Sequence, residues 1–187
     1  MSKIALCRPF ALGSALLFTL AACGDSATAP GGESEVISRV TLTLTPTTGA
    51  ALTAYVDDPD GNGPQSPAAQ VGTLALARGV TYTGTVKFEN RLVNPPEDIT
   101  TEVQAESNEH RVFYTVTGTG VTVTTTDTDT QGRPLGVRFT KAVAQSATGG
   151  TMRVVLCHYD DSTKSAAATT CTGDTDIDLT FAFTIAN

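Results

Sequence analysis

Ile177-Asp178-Leu179-Thr180-Phe181-Ala182-Phe183-Thr184-Ile185 sets a large apolar side chain at every odd position and a small or polar one between. That period of two is the pattern of a strand with one buried and one outward face, because successive side chains of an extended chain point to opposite sides. The same alternation recurs upstream. Val40, Leu42 and Leu44 alternate with Thr41, Thr43 and Thr45, and Pro46-Thr47-Thr48-Gly49 breaks the run before Leu52, Ala54 and Val56 complete a hairpin. Leu74 and Leu76 precede Arg78-Gly79, and Val80, Tyr82, Gly84, Val86 and Phe88 follow. Val112, Tyr114 and Val116 lead through Thr117-Gly118-Thr119-Gly120 to Val121 and Val123, and Leu135, Val137 and Phe139 come after an Asp/Thr/Gln-Gly turn. Residues 151–157 are more continuously apolar, as expected of a central strand. About nine short strands at regular spacing predict an all-β, antiparallel Ig-like β-sandwich or barrel.

Composition agrees. Of 187 residues 33 are Thr, a β-branched type that suits a pleated, half-buried surface and disfavours a helical bundle. Charged residues make up 17% of the chain, too few for charge-driven disorder. A formal net charge of −7 with no basic face argues against nucleic acid, whose phosphates require one.

The amino terminus reads as an address. Lys3 and Arg8 precede an uncharged apolar run from Phe10 to Ala22. At 13 residues the run is too short to cross a bilayer, which takes roughly 20, and it has the form of a secretory signal. It ends in Leu20-Ala21-Ala22-Cys23, which resembles a bacterial lipobox. The resemblance implies a signal peptide over residues 1–22, cleavage before Cys23 and lipidation of that residue. The alternative is an ordinary signal with a chance Cys. Acyl chains, at about 0.8 kcal/mol per buried methylene, would give a membrane anchor and not a span. Gly24 after the Cys, in place of Asp, points to the outer membrane, facing the periplasm or the surface. Losing Lys3 and Arg8 with the leader takes the net charge from −7 to −9. Residues 23–35 then form the lipidated Cys and a flexible tether, since 24–35 hold no large apolar side chain, and 36–187 form one domain.

Val40-Thr41-Leu42-Thr43-Leu44-Thr45-Pro46, Thr81-Tyr82-Thr83-Gly84, Glu97-Asp98-Ile99-Thr100 leading to Glu109-His110, Phe113-Tyr114-Thr115-Val116 and Gly173-Asp174-Thr175-Asp176-Ile177-Asp178 together resemble a group of small bacterial envelope lipoproteins. These are found largely in Bacteroidetes-type envelopes and are described as type 1 periplasmic binding fold superfamily proteins. The similarity covers nearly the whole mature chain, implies residence in the envelope and marks no site. The family description denotes two α/β lobes with parallel sheets, whose crossovers take about a dozen residues or more. The short connections here predict the sandwich.

With Cys7 in the leader and Cys23 lipidated, Cys157 and Cys171 remain, and an oxidising compartment predicts their disulfide. A redox or metal-binding pair is the alternative, though metal sites want closer spacing and more ligands.

One segment breaks the alternation. After Pro95-Pro96, residues 97–109 place Ile99 and Val103 four apart, which predicts a short helix pinned to a sheet. Asp98, Glu102 and Glu106 share that spacing. They form either a solvated acidic stripe or a docking face for a cation or a basic partner.

Chemistry is sparse. In Asp57-Asp58-Pro59-Asp60-Gly61-Asn62-Gly63, Asp58, Asp60 and Asn62 offer oxygens on a turning backbone, a candidate calcium site, although Asp, Asn and Gly also serve ordinary turns. No distal bidentate Glu falls at the EF-hand offset. Asp127-Thr128-Asp129 and Asp174-Thr175-Asp176 are weaker echoes that read as turns. His110 and His158, the two histidines, each fall at a strand edge, and share a metal only if their strands are neighbours. No Gly-x-Ser-x-Gly, His-Glu-x-x-His, Gly-Lys-Ser/Thr or Gly-x-Gly-x-x-Gly motif occurs. The expectation is a lipid-anchored, non-enzymatic envelope module without a cofactor other than calcium. Its protein or glycan partner would meet loops that include residues 57–67 and 127–134. The alternative is a carboxylate-based hydrolase or carbohydrate-active enzyme.

Overall fold

The computed structural model describes residues 35–59, 61, 68–160 and 164–186. They form nine strands and one helix. The strands are β1 (Arg39–Pro46), β2 (Leu52–Asp57), β3 (Leu74–Leu76), β4 (Thr81–Glu89), β5 (His110–Val116), β6 (Val121–Thr125), β7 (Arg138–Val143), β8 (Gly150–His158) and β9 (Asp174–Ile185), with α1 (Ile99–Ala105) between β4 and β5. One sheet runs β2-β1-β4-β7-β6 and the other β3-β9-β8-β5. The sheets stay open and pack as a sandwich, with no closed barrel and no pair of α/β lobes. All pairings are antiparallel except one: β3 lies parallel to β9, Leu74 opposite Phe183. The connection between them is not a hairpin, so β3 joins the second sheet's edge in whichever direction buries Leu74 and Leu76.

The alternating positions do what their spacing predicts. Val40, Leu42 and Leu44 of β1, Val86 and Phe88 of β4, Phe139 of β7 and Ile177, Leu179, Phe181 and Phe183 of β9 are all buried between the sheets. Each such side chain contributes about 1.5–3 kcal/mol relative to exposure. Gly84 interrupts the large inward residues of β4 because the Phe139 ring fills the place its Cβ would take. β8 is the more continuous apolar strand because both its faces are covered. Met152, Val154 and Leu156 face the main core, while Val155 and Cys157 join Phe113 and Tyr159 in a second, smaller cluster. The Cys157–Cys171 disulfide packs over that outer cluster.

Helix α1 occupies the centre of the predicted 97–109 segment. Asp98 caps it by accepting from the Thr100 N–H at 3.1 Å, and Ile99 and Val103 are buried. The Thr100 hydroxyl accepts from the backbone N–H of Phe88 at 2.9 Å and donates to its carbonyl at 3.2 Å, fastening the helix to the end of β4. Two boundaries depart from expectation. β7 begins at Arg138, so Leu135 and Val137 pack as the approach to it. Glu35, expected as the last residue of a tether, is already buried.

Candidate functional site

β5 begins at His110 and β8 ends at His158, and the antiparallel register sets these two residues directly opposite each other. Strand parity carries both inward. His110 lies on the face of Val112, and His158 on the face of Leu156, Val154 and Met152. β9 supplies a third group through an irregularity. Its register with β8 steps from Leu156 opposite Ile177 to Cys157 opposite Thr175, leaving Asp176 as an extra residue. Such a bulge re-aims a side chain, and here Asp176 and Ile177 are buried in succession. The fourth group is Glu35. The chain behind it is fixed by the Ser38 N–H donating to the Glu89 carbonyl at 3.0 Å and by buried Ile37.

The four side chains converge at one end of the sandwich. Glu35, His110, His158 and Asp176 are 7%, 0%, 6% and 2% exposed, and one ligand atom from each lies within 4.8 Å of the others. His110 Nε2 stands 2.5 Å from Glu35 Oε1 and 3.9 Å from Asp176 Oδ2. His158 Nδ1 stands 3.7 Å from Glu35 Oε2. Yet Glu35 Oε2, His110 Nε2 and Asp176 Oδ2 complete no hydrogen bond of good geometry. The outward nitrogens are better served. His110 Nδ1 lies 3.2 Å from the Glu106 carbonyl at the end of α1, and His158 Nε2 lies 3.4 Å from Asp160 Oδ1 and 4.0 Å from Glu109 Oε2.

Burial opposes charge on every member, and pairing decides which groups keep it. Burial works to raise Glu35, but the His110 imidazole outweighs it and holds the carboxyl below its ordinary value. Burial likewise works to lower His110, and Glu35 with the Glu106 carbonyl raises it instead. The same imidazole is farther from Asp176, at 3.9 Å, and does not offset its burial. Burial and the adjacent Glu35 carboxylate push it well above the usual carboxylate range. Two buried carboxylates side by side cannot both ionise cheaply without a cation between them.

The residues singled out from sequence are distributed differently. His110 and His158 meet the stated condition for sharing a metal, since their strands are neighbours. Asp174-Thr175-Asp176 opens β9 and is not a turn, and its last residue enters the cluster. Asp127-Thr128-Asp129 does shape a turn: Asp129 Oδ1 accepts from the backbone N–H groups of Gln131 and Arg133 at 2.9 and 2.8 Å. In the calcium candidate, Asp58 is buried, and the neighbouring Asp57 makes a bidentate pair with Arg39. Asp60 and Asn62 lie outside the described residues, as do Cys23 and the leader. Asp98, Glu102 and Glu106 are exposed, at the cap, middle and end of α1. Asp98 stands 3.6 Å from Lys87, and burial together with the carboxylates of Glu106 and Glu35 pushes Glu102 up.

Sequence alone passes over Glu35, which follows a polar stretch, and reads Asp176 only as part of a turn, because its inward direction is owed to a bulge. Comparison with protein-family models, with curated proteins and with solved structures finds no match to this chain.

Proposed function

We propose that this protein is a lipid-anchored module of a bacterial cell envelope that binds or braces a partner without catalysing a reaction. The observation that carries this reading is the leader: a basic head, a 13-residue apolar run and Leu20-Ala21-Ala22-Cys23 in register. The Cys157–Cys171 disulfide supports it, because such bonds persist in oxidising compartments. Among the described residues no helix is long and apolar enough to cross a membrane, which says nothing of strands.

The candidate contact surface is the end of the sandwich where β1 starts and β2 and β4 finish. An open pocket of about 400 Å³ lies there, lined by Arg39, Asp57, Asp58, Pro59, Arg91 and Leu92 among others. The 127–134 loop reaches the same end, because Arg138 at the start of β7 pairs with Thr85 of β4. A carboxylate-based hydrolase needs its acid pair facing a cleft. The buried pair here, Glu35 and Asp176, is not among the residues that line that pocket.

The test is Cys23→Ser in a Gram-negative host, followed by membrane fractionation. The native chain is expected in the membrane fraction and the variant in the soluble fraction. Undiminished membrane retention of the variant contradicts the anchor.

A further inference from the structure

We propose that Glu35, His110, His158 and Asp176 form a structural site for a divalent transition-metal cation, zinc above others. The proposal is independent of the lipid anchor.

Three features point to a ligand here. The donor set is two imidazole nitrogens and two carboxylate oxygens, all buried, with their ligand atoms within 4.8 Å of one another. A tetrahedral zinc with bonds of about 2.0–2.2 Å places its ligands roughly 3.3–3.6 Å apart. The observed separations of 2.5, 3.7 and 3.9 Å bracket that spacing, so small side-chain rotations suffice. Second, two inward-facing carboxylate oxygens, Glu35 Oε2 and Asp176 Oδ2, complete no hydrogen bond despite their burial, while His110 Nε2 meets only Glu35 Oε1 and, at 3.9 Å, Asp176 Oδ2. Buried polar atoms normally have partners, and unpartnered ones converging on one point call for an ion. Third, the outer shell is in place. His110 Nδ1–H donates to the Glu106 carbonyl at 3.2 Å, which leaves Nε2 as the nitrogen turned towards the cluster. Asp160 and Glu109 stand at His158 Nε2 and leave Nδ1 facing the cluster. A carbonyl or carboxylate behind each ligating imidazole is the usual device for fixing its tautomer.

Charge selects the cation. Two carboxylates and two neutral imidazoles carry two negative charges, which one divalent ion cancels. Calcium prefers six to eight oxygens, and this site offers imidazole and few oxygens. Glu35 precedes β1, whereas the other ligands sit on β5, β8 and β9. Bound metal would therefore fasten the root of the amino-terminal segment to the second sheet.

The purified full chain is stripped with chelator, then titrated with zinc by calorimetry, with metal content measured by mass spectrometry. Cobalt serves as a spectroscopic substitute. One zinc per chain, a raised melting midpoint and the visible bands of tetrahedral cobalt are expected. Asp176→Asn, which keeps the shape and removes a buried carboxylate, is expected to fold and to weaken zinc by more than about 100-fold, beyond the usual loss from an outer-shell change. Substoichiometric zinc on the folded native chain overturns the proposal. So does zinc held equally well by the Asp176→Asn variant, which would place the ion on other groups.

Discussion

His110 and His158 lie opposite each other across the β5–β8 ladder, with ring centroids 4.4 Å apart and planes tilted by 31°. A cross-strand pair of this kind brings Cβ atoms within about 5 Å on one face of the sheet. The two rings thus share a wall of the same buried volume, which Glu35 and Asp176 close from β1's approach and from the β9 bulge. Next to it, Lys164 donates to the Ser107 carbonyl at 2.8 Å, so the same turn that leads into His110 also anchors the loop closed by the disulfide.

Asp129 is the hub of that neighbouring network. It pairs with Arg133 at 2.7 Å and with Lys164 at 3.1 Å, both carboxylate and ammonium being fully buried. Burial works to raise Asp129, but the Arg133 backbone N–H, its guanidinium and Lys164 hold it well below its ordinary value. Lys164 is lowered, burial outweighing Asp129, so the network satisfies the carboxylate more fully than the ammonium. Asp129→Asn strands a buried cation and should cost about 3–5 kcal/mol in urea unfolding. Adding Lys164→Met should recover much of the loss. An Asp129→Asn midpoint equal to the native one contradicts this.

Lys141 gives the pH dependence. It takes an inward position on β7 between Phe139 and Val143, 0% exposed, with Nζ 3.7 Å from Met152 Sδ and 3.9 Å from the Phe183 ring centroid. Burial pushes it down from 10.5 to about 8. The unfolded chain therefore holds more protons between those values, and stability rises with pH across that window. The penalty, on the order of 3 kcal/mol, is fully present below pH 8 and gone above 10.5. Lys141→Met should raise the melting midpoint at pH 7 and flatten its rise with pH. A lower midpoint would show that the ammonium is better accommodated than burial implies.

The fold was legible where alternation was long. Period two located the strands, the Ile99/Val103 spacing located α1, and elimination paired the cysteines. The cluster was half legible: His110 and His158 stood out as the two histidines, but their pairing depends on which strands become neighbours. Asp176 was hidden because parity along β9 puts it on the outward face of Asp178 and Thr180, and only the bulge reverses that. Glu35 was hidden because a charged residue after a Gly/Ser/Pro stretch reads as solvated. Lys141 escaped too, since a lysine after Phe139 suggests the strand has ended.

The disulfide's contribution can be read from chain length. Bridging 15 residues, Cys157 to Cys171, restricts the unfolded chain by about 3 kcal/mol on the entropy model. The double substitution to Ala should lower unfolding free energy by about that amount, and reductant should leave the variant unaffected. If reductant shifts the variant as much as the native protein, the effect lies elsewhere.

Gly84 is predicted to tolerate no larger residue. A Cβ there would collide with the Phe139 ring, which also packs against Tyr114 with ring centroids 4.6 Å apart and planes tilted by 46°. Gly84→Val should cost about 1–3 kcal/mol by overpacking, measured by thermal unfolding. Pairing it with Phe139→Leu should restore part of the loss, and no loss in the single variant would mean the ring moves freely.

The most direct measurement is an anomalous difference map at the zinc edge from crystals grown with zinc. One peak among Glu35, His110 Nε2, His158 Nδ1 and Asp176, with each ligand at about 2.0–2.2 Å, is the predicted result. A map in which zinc sits elsewhere, while His110 and Glu35 keep their direct pairing, contradicts it.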